Sequence, residues 1–229
     1  MKKGSTMSKK KLVLVRLLLL VGIIGIAALP MALCASDQTP KDPAKAEIDQ
    51  PGSTAPPKGA SCVLSPLAMP PNPAIIPGYT ELDPTTGLHV TGTMKEIDIR
   101  QYRLEVVGKV SHPLSLTYDE LRCMPRTQAR PTLICAGFFS DVATWAGTPL
   151  RYVIDLAVPQ PGATGVRLIA ADGYSASYAL HDATAQGNFL AYEWEGKALP
   201  RLHGFPVRAV FPGLEGNQWV KWVIKIEVF

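Results

Sequence analysis

The side chains able to do chemistry in this 229-residue chain are few, and the first to place is the cysteine of "PTLICAGFFSD", Cys135. Read alone, it is either a buried core thiol, cysteine being among the residue types most often buried, or a sulfur presented at a turn. The four histidines, His89, His112, His181 and His203, are scattered without zinc-like spacing, and none lies beside Cys135 to activate it as a nucleophile. The chain has no G-x-S-x-G elbow, no phosphate-binding P-loop and no dinucleotide glycine pattern. Cysteine count adds a constraint. If Cys34 leaves with a leader, Cys62, Cys123 and Cys135 remain, an odd number. One consistent arrangement pairs Cys62 with Cys123 and leaves Cys135 over; the other pairs Cys123 with Cys135. The sequence leaves both open.

The elements around these residues read as α+β, mixed strands with short helices. "YRLEVVGKV" alternates apolar and polar residues from Tyr102 and predicts a strand. Thr117 with Glu120 three residues on forms a capping box, starting a short helix that ends before Pro125. "PTLICAG" predicts a strand running into a turn. "TPLRYVIDLAV" places Leu150, Val153, Ile154 and Ala157 at helical spacing, closed by Pro159. "GVRLIAADGYSASYAL" predicts two strands around an Asp172-Gly173 turn. "FPVRAVFPG" and "WVKWVIKIEVF" predict two more strands.

Three regions follow from composition. Residues 1–35 carry a basic start (Lys2, Lys3, Lys9, Lys10, Lys11, Arg16) and an apolar run from Leu17, a signal peptide or an N-terminal membrane anchor. Residues 36–77 are a Pro-rich tether passing into an irregular arm. Residues 78–229 are the folded domain, placed by this leader outside the cytoplasm. The formal charge of +4 is concentrated in the leader, and the remainder carries no basic stripe, which excludes nucleic-acid binding.

The last third, "LAYEWEGKALPRLHGFPVRAVFPGLEGNQWVKWVIKIEV", resembles the sulfite oxidase family of molybdopterin-dependent oxidoreductases. The resemblance rests on His203-Gly-Phe-Pro-Val-Arg208, then Pro212-Gly213, Gly216 and Lys221-Trp222, preceded by "LAYEWEGKALP". Upstream, "YRLEVVGKVSHPLSLTYDELRCMP" is similar to the family's opening strand and strand–helix unit. "ICAG…TWAGTPL" is similar to its cysteine segment and the W-x-G-x-x-L start of a helix. The resemblance implies the sulfite-oxidase-type molybdopterin-binding fold, with Mo-molybdopterin as cofactor and Cys135 as the metal's protein ligand. It assigns His203, Arg208, Lys221 and Asp172 to the cofactor, together with the backbone at Trp219 and Val220. Phe138, Phe139 and Ser140 stand where sulfite oxidases place anion-binding side chains, which implies an apolar mouth and a substrate other than sulfite. No C-terminal dimerisation domain follows, which implies a monomer acting on a small molecule with an external electron partner. A second reading keeps the fold as a tethered binding or structural module without metal. It is motivated by the lysine-only "SKKKLVLVR" leader and the missing anion-pocket arginines.

Overall fold

The computed structural model describes residues 62–66 and 68–229, so the expectations for the leader and for the tether up to residue 61 lie outside the described residues. No helix among the described residues is long and apolar enough to cross a membrane. Between residues 62 and 77 the described backbone forms no helix or strand, as its proline content dictates. It is nonetheless tied down. Cys62 is bonded to Cys123, Arg122 Nη2 donates to the Ser65 carbonyl, and Arg201 Nε donates to the Pro70 carbonyl at 3.1 Å. Of the two cysteine pairings, the structure therefore has the one that leaves Cys135 free.

The domain holds one mixed sheet, one antiparallel sheet and a separate hairpin. In chain order the strands are β1 (Leu104–Gly108), β2 (Leu114–Leu116), β3 (Thr127–Ala129), β4 (Thr132–Cys135), β5 (Phe139–Val142), β6 (Trp145–Pro149), β7 (Gly165–Ala170), β8 (Ser175–Ala179), β9 (Phe189–Trp194), β10 (Lys197–Ala198), β11 (Arg208–Val210) and β12 (Val223–Val228). The first sheet runs β2-β1-β12-β7-β8, parallel only between β1 and β12. The second runs β10-β9-β6-β3, with β11 also on β9; β4 and β5 pair with each other.

The short helices follow their sequence signals. Helix α1 (Tyr118–Arg122) begins at Thr117, whose hydroxyl accepts from Glu120 N at 3.1 Å while Glu120 returns a carboxylate to Thr117 N at 2.7 Å. Helix α2 (Leu150–Ala157) buries Leu150, Val153, Ile154 and Ala157 against β1 of one sheet and β6 and β9 of the other, so its apolar stripe joins the sheets in one core. Helix α3 (Leu180–Ala183) follows β8.

One departure from expectation has a physical cause. The W-x-G-x-x-L stretch is not the start of a helix. Trp145–Pro149 is a strand, and α2 begins only at Leu150. Gly147 explains the strand. A Cβ there would meet the Leu190 carbonyl oxygen at 1.8 Å, so the glycine lets β6 lie against β9 at a register shift between Ala146 and Gly147. Backbone hydrogen bonds also order the chain ahead of β1. Thr80 N donates to the Val90 carbonyl and Val90 N to the Glu81 carbonyl, both at 2.8 Å. This folds residues 80–90 into a hairpin-like excursion.

Candidate functional site

The hairpin β4–β5 is the simplest part of the site. Its register pairs Leu133 with Asp141 and Cys135 with Phe139, and Gly137, at φ 80°, makes the tight reversal between them. Because strand side chains alternate, Leu133, Cys135, Phe139 and Asp141 share one face, and all four line a cavity of about 270 Å³. Ile134, 51 % exposed, and Val142, 45 % exposed, occupy the other face. Parity therefore divides the three expected mouth residues. Phe139 lines the cavity, whereas Phe138 projects from the hairpin tip at 70 % exposure and Ser140 faces outward.

The cation wall comes from the chain around β11. A single turn of 3-10 helix, Arg201–His203, ends at Gly204 with φ 115°. A Cβ on Gly204 would meet Arg208 Cβ at 2.9 Å and Lys221 Cβ at 3.3 Å, so the glycine is what admits both stems to the same place. Arg208 is 4 % exposed. Its guanidinium lies 4.5 Å from the Trp145 ring and 5.6 Å from the Trp219 ring, and Nη1 donates to the His203 carbonyl at 3.2 Å. Its Nε is buried without a partner. Lys221 Nζ donates to the carbonyls of Thr91 and of Leu202, the latter at 3.1 Å, and sits 4.7 Å from the Trp222 ring. Among the described residues no carboxylate lies within ion-pair distance of either cation.

These positive charges are held at a cost. Burial lowers the Arg208 guanidinium to about 9, partly offset by Asp141. Burial and then the Arg208 charge lower Lys221 to about 7, against the pull of Asp172. His203 is 2 % exposed, and burial, with Lys221 and Arg208 nearby, pushes its imidazole down to about 4, so it is neutral at pH 7. Its Nε2 stands 3.1 Å from Asp83 Oδ2 and 2.9 Å from Thr86 Oγ1. The 80–90 excursion thus orients the ring. A buried guanidinium and a half-buried ammonium, met by carbonyls and aromatic faces and one of them with an orphaned N–H, form a cradle suited to an anion.

Asp172 and Trp219 line the same cavity as Cys135, Phe139, His203, Arg208 and Lys221. The Asp172 carboxylate accepts from Tyr174 N at 3.0 Å, and Tyr174 in turn donates its hydroxyl to the Asn217 carbonyl at 2.6 Å. Val220 is buried outside the lining, and its carbonyl accepts from Ala209 N at 2.8 Å. Several lining residues were not anticipated: Tyr79, His89, Asp141, Trp145, Tyr174 and Asn217. The one signal that could have flagged them is the alternation of β5, which ties Asp141 to the face of Phe139. No group of three His, Cys, Asp or Glu side chains that could hold a metal by themselves occurs among the described residues.

Residues 91–229 match the oxidoreductase molybdopterin-binding domain. Among curated proteins, the chain is 30% identical over 131 residues to the uncharacterized oxidoreductase YuiH of Bacillus subtilis, covering 57% of this chain and 66% of that protein. It is 34% identical over 163 residues to human mitochondrial sulfite oxidase, covering 58% of this chain and 30% of that one. It is also 29% identical over 130 residues to the putative protein-methionine-sulfoxide reductase subunit YedZ1 of Azospira oryzae, covering 57% and 50%. Among solved structures, the sulfane dehydrogenase SoxCD of Paracoccus pantotrophus superposes with a TM-score of 0.61 at 26% identity, covering 67% of this chain and 44% of that one. The chain thus spans from under a third to about two thirds of the length of these relatives.

Proposed function

This chain belongs to the oxidoreductase molybdopterin-binding domain family, and on that premise we propose that it is an extracytoplasmic molybdenum-cofactor oxidoreductase acting on a small molecule. The residues present fit the cofactor. The observation that carries the reading is the orphaned, buried Nε of Arg208 in the same cavity as the free Cys135 and the half-buried Lys221. A cation pair without carboxylate partners supports an anionic ligand, and the cofactor's phosphate is one.

In this reading Cys135 supplies one soft thiolate ligand. Arg208 and Lys221 hold the phosphate end, and His203 and Asp172 meet the pterin. Trp219 and Val220 contribute backbone, with the Trp219 ring also stacked near Arg208. The bound cofactor would supply a two-electron change at the metal coupled to oxygen exchange with the substrate. Neutral His203, fixed by Asp83 and Thr86, would act as a hydrogen-bonding group rather than a charge. Phe139 would cover the mouth beside Cys135. Asp141 places a carboxylate on that same face, and its negative charge disfavours a dianion, which supports a substrate other than sulfite.

Electrons would pass to or from an external redox partner, with the chain acting as a monomer. The Cys62–Cys123 disulfide and the leader-like residues 1–35 support an oxidising compartment outside the cytoplasm, with the N-terminus as signal or tether. The metal-free module reading requires Cys135 to be packed away or paired with Cys123, and the free sulfur in the cation-lined cavity weighs against it.

The test is metal analysis of the protein purified from cells with an intact molybdenum-cofactor pathway. Stoichiometric molybdenum is expected; a wild-type protein recovered folded but free of molybdenum and pterin would end the proposal.

A further inference from the structure

One histidine of the cavity, His89, is given no role by the cofactor reading above. His89 reaches the site from the 80–90 excursion, paired backbone to backbone with Leu82. Asp141 grips it twice: its Oδ2 accepts from His89 N at 2.8 Å, and its Oδ1 lies 2.7 Å from the imidazole Nδ1. An ionised carboxylate only accepts, so Nδ1 carries the proton, and Nε2 is left with its lone pair. Among the described residues Nε2 makes no hydrogen bond. The ring lies flat on Phe139, centroids 4.4 Å apart and planes within 9°. Phe139 is in turn the cross-strand partner of Cys135. The imidazole lines the cavity and is 27% exposed at its side chain. It is therefore fixed in plane and in tautomer, in the same cavity as Cys135, the free cysteine among the described residues.

We propose that His89 is the proton-exchanging catalytic residue of this site, and that Asp141 is its positioning residue. The inference rests on the oxidoreductase reading above. Moving an oxygen atom between water and a substrate S follows S + H2O ⇌ SO + 2H+ + 2e−, with the two electrons going to or coming from the external redox partner. Two protons must therefore leave or enter a cavity whose other histidine, His203, is committed to Asp83 and Thr86. Nε2 of His89 takes one of them in the oxidising direction and returns it in the reducing direction, and the second exchanges with solvent water. Asp141 steadies the imidazolium formed, because its Oδ1 already faces Nδ1–H.

Two measurements decide this, one of which needs no cofactor. In the cofactor-free full chain, nitrogen NMR of the imidazole is expected to show neutral His89 in the Nδ1–H form, and Asp141→Asn to move it toward Nε2–H. A wild-type Nε2–H form overturns the proposal. In the loaded enzyme, His89→Ala is expected to lower kcat by about 10²- to 10⁴-fold with unchanged molybdenum content, the range for a positioned acid–base group. Added imidazole should restore part of that loss, which a merely structural role would not allow. His89→Gln, which can hydrogen-bond but not exchange a proton, should lose as much. Wild-type kcat in His89→Gln overturns the proposal while leaving the cofactor reading intact. Failure to bind molybdenum overturns the cofactor reading instead, and the tautomer measurement still decides the geometry.

Discussion

The two walls of the cavity are built by opposite means. Arg208 and Lys221 rise from backbone woven into the sheets: β11 pairs with β9, Ala209 N bonds to the Val220 carbonyl, and Val223 N bonds to the Val207 carbonyl. Cys135, Phe139 and Asp141 stand on a two-stranded hairpin whose outer face meets solvent and whose main outside backbone contact is the bridge from Ile134 to Glu215. The cation wall is over-determined because it must hold bare charge out of water, and only dense packing keeps such groups in place. The hairpin carries one buried charge, Asp141, and that one is already met by the His89 backbone N–H and imidazole. A chain built this way can keep its anion cradle constant and change what meets the substrate by changing a few exposed-strand residues.

The largest effect is expected on the hairpin. Cys135→Ser should reduce kcat by about 10³-fold or more, roughly 4 kcal/mol of barrier, with little change in thermal stability, because the sulfur is only half-buried. Comparable activity in the serine variant would remove the hairpin from the site. Next comes the arm, which serves as a control on both walls. Removing the Cys62–Cys123 bond by Cys62→Ala opens a loop with a sequence separation of 61. Loop entropy alone puts the loss at about 4 kcal/mol, read as a lower denaturant midpoint, with the cavity's metal content unaffected below the melting range.

The cation wall should show an inverted signature. Lys221 is lowered from 10.5 to about 7, so between those values the unfolded chain holds a proton that the folded chain has released. Stability of the cofactor-free protein should therefore rise with pH across that window, and the penalty should be present in full below pH 7. His203 is lowered from 6.5 to about 4 and gives the same sign across pH 4 to 6.5, so acid destabilises. Lys221→Met should flatten the alkaline limb of a midpoint-against-pH curve and make the acid limb shallower without removing it, because burial is the larger cause of the His203 shift and the Lys221 charge the second. Arg208→Met should be neutral or stabilising by up to about 3 kcal/mol without cofactor, yet abolish cofactor retention. Loss of stability in both variants would mean that these cations are satisfied without a ligand. The smallest effect belongs to the hairpin tip: Phe138→Ser should change stability by no more than about 0.5 kcal/mol and leave KM unchanged, whereas Phe139→Ser should raise it.

Local chemistry was readable from the sequence. Thr117 and Glu120 announce α1, Leu150 to Ala157 announce α2, and Asp172-Gly173 marks the β7–β8 turn, with Gly173 at φ 88°. Central strands were harder. Trp145–Thr148 is buried on both faces, so it lacks the alternation that marks a half-exposed strand. The hairpin parity was hidden as well, because separating Phe138 from Phe139 requires knowing which residue turns the chain. His89 and Asp141 lie 52 positions apart, and nothing local to either announces the other. His203, Arg208 and Lys221 were legible only through motif resemblance, since each alone reads as an ordinary strand or loop residue.

The position of β12 has a consequence for how the molecule comes into being. It is the last of the strands in chain order, yet it lies between β1 and β7 in the middle of the first sheet. A chain emerging from the ribosome can form helices and hairpins early, but it cannot close that sheet until residues 223–228 arrive, and pairings of such long sequence separation are slow. Lys221 directly precedes this strand. The pocket's charge is therefore completed only after β1 to β11 have been made, and any loading of the pocket must wait for residues 221–228 to take their place in the sheet.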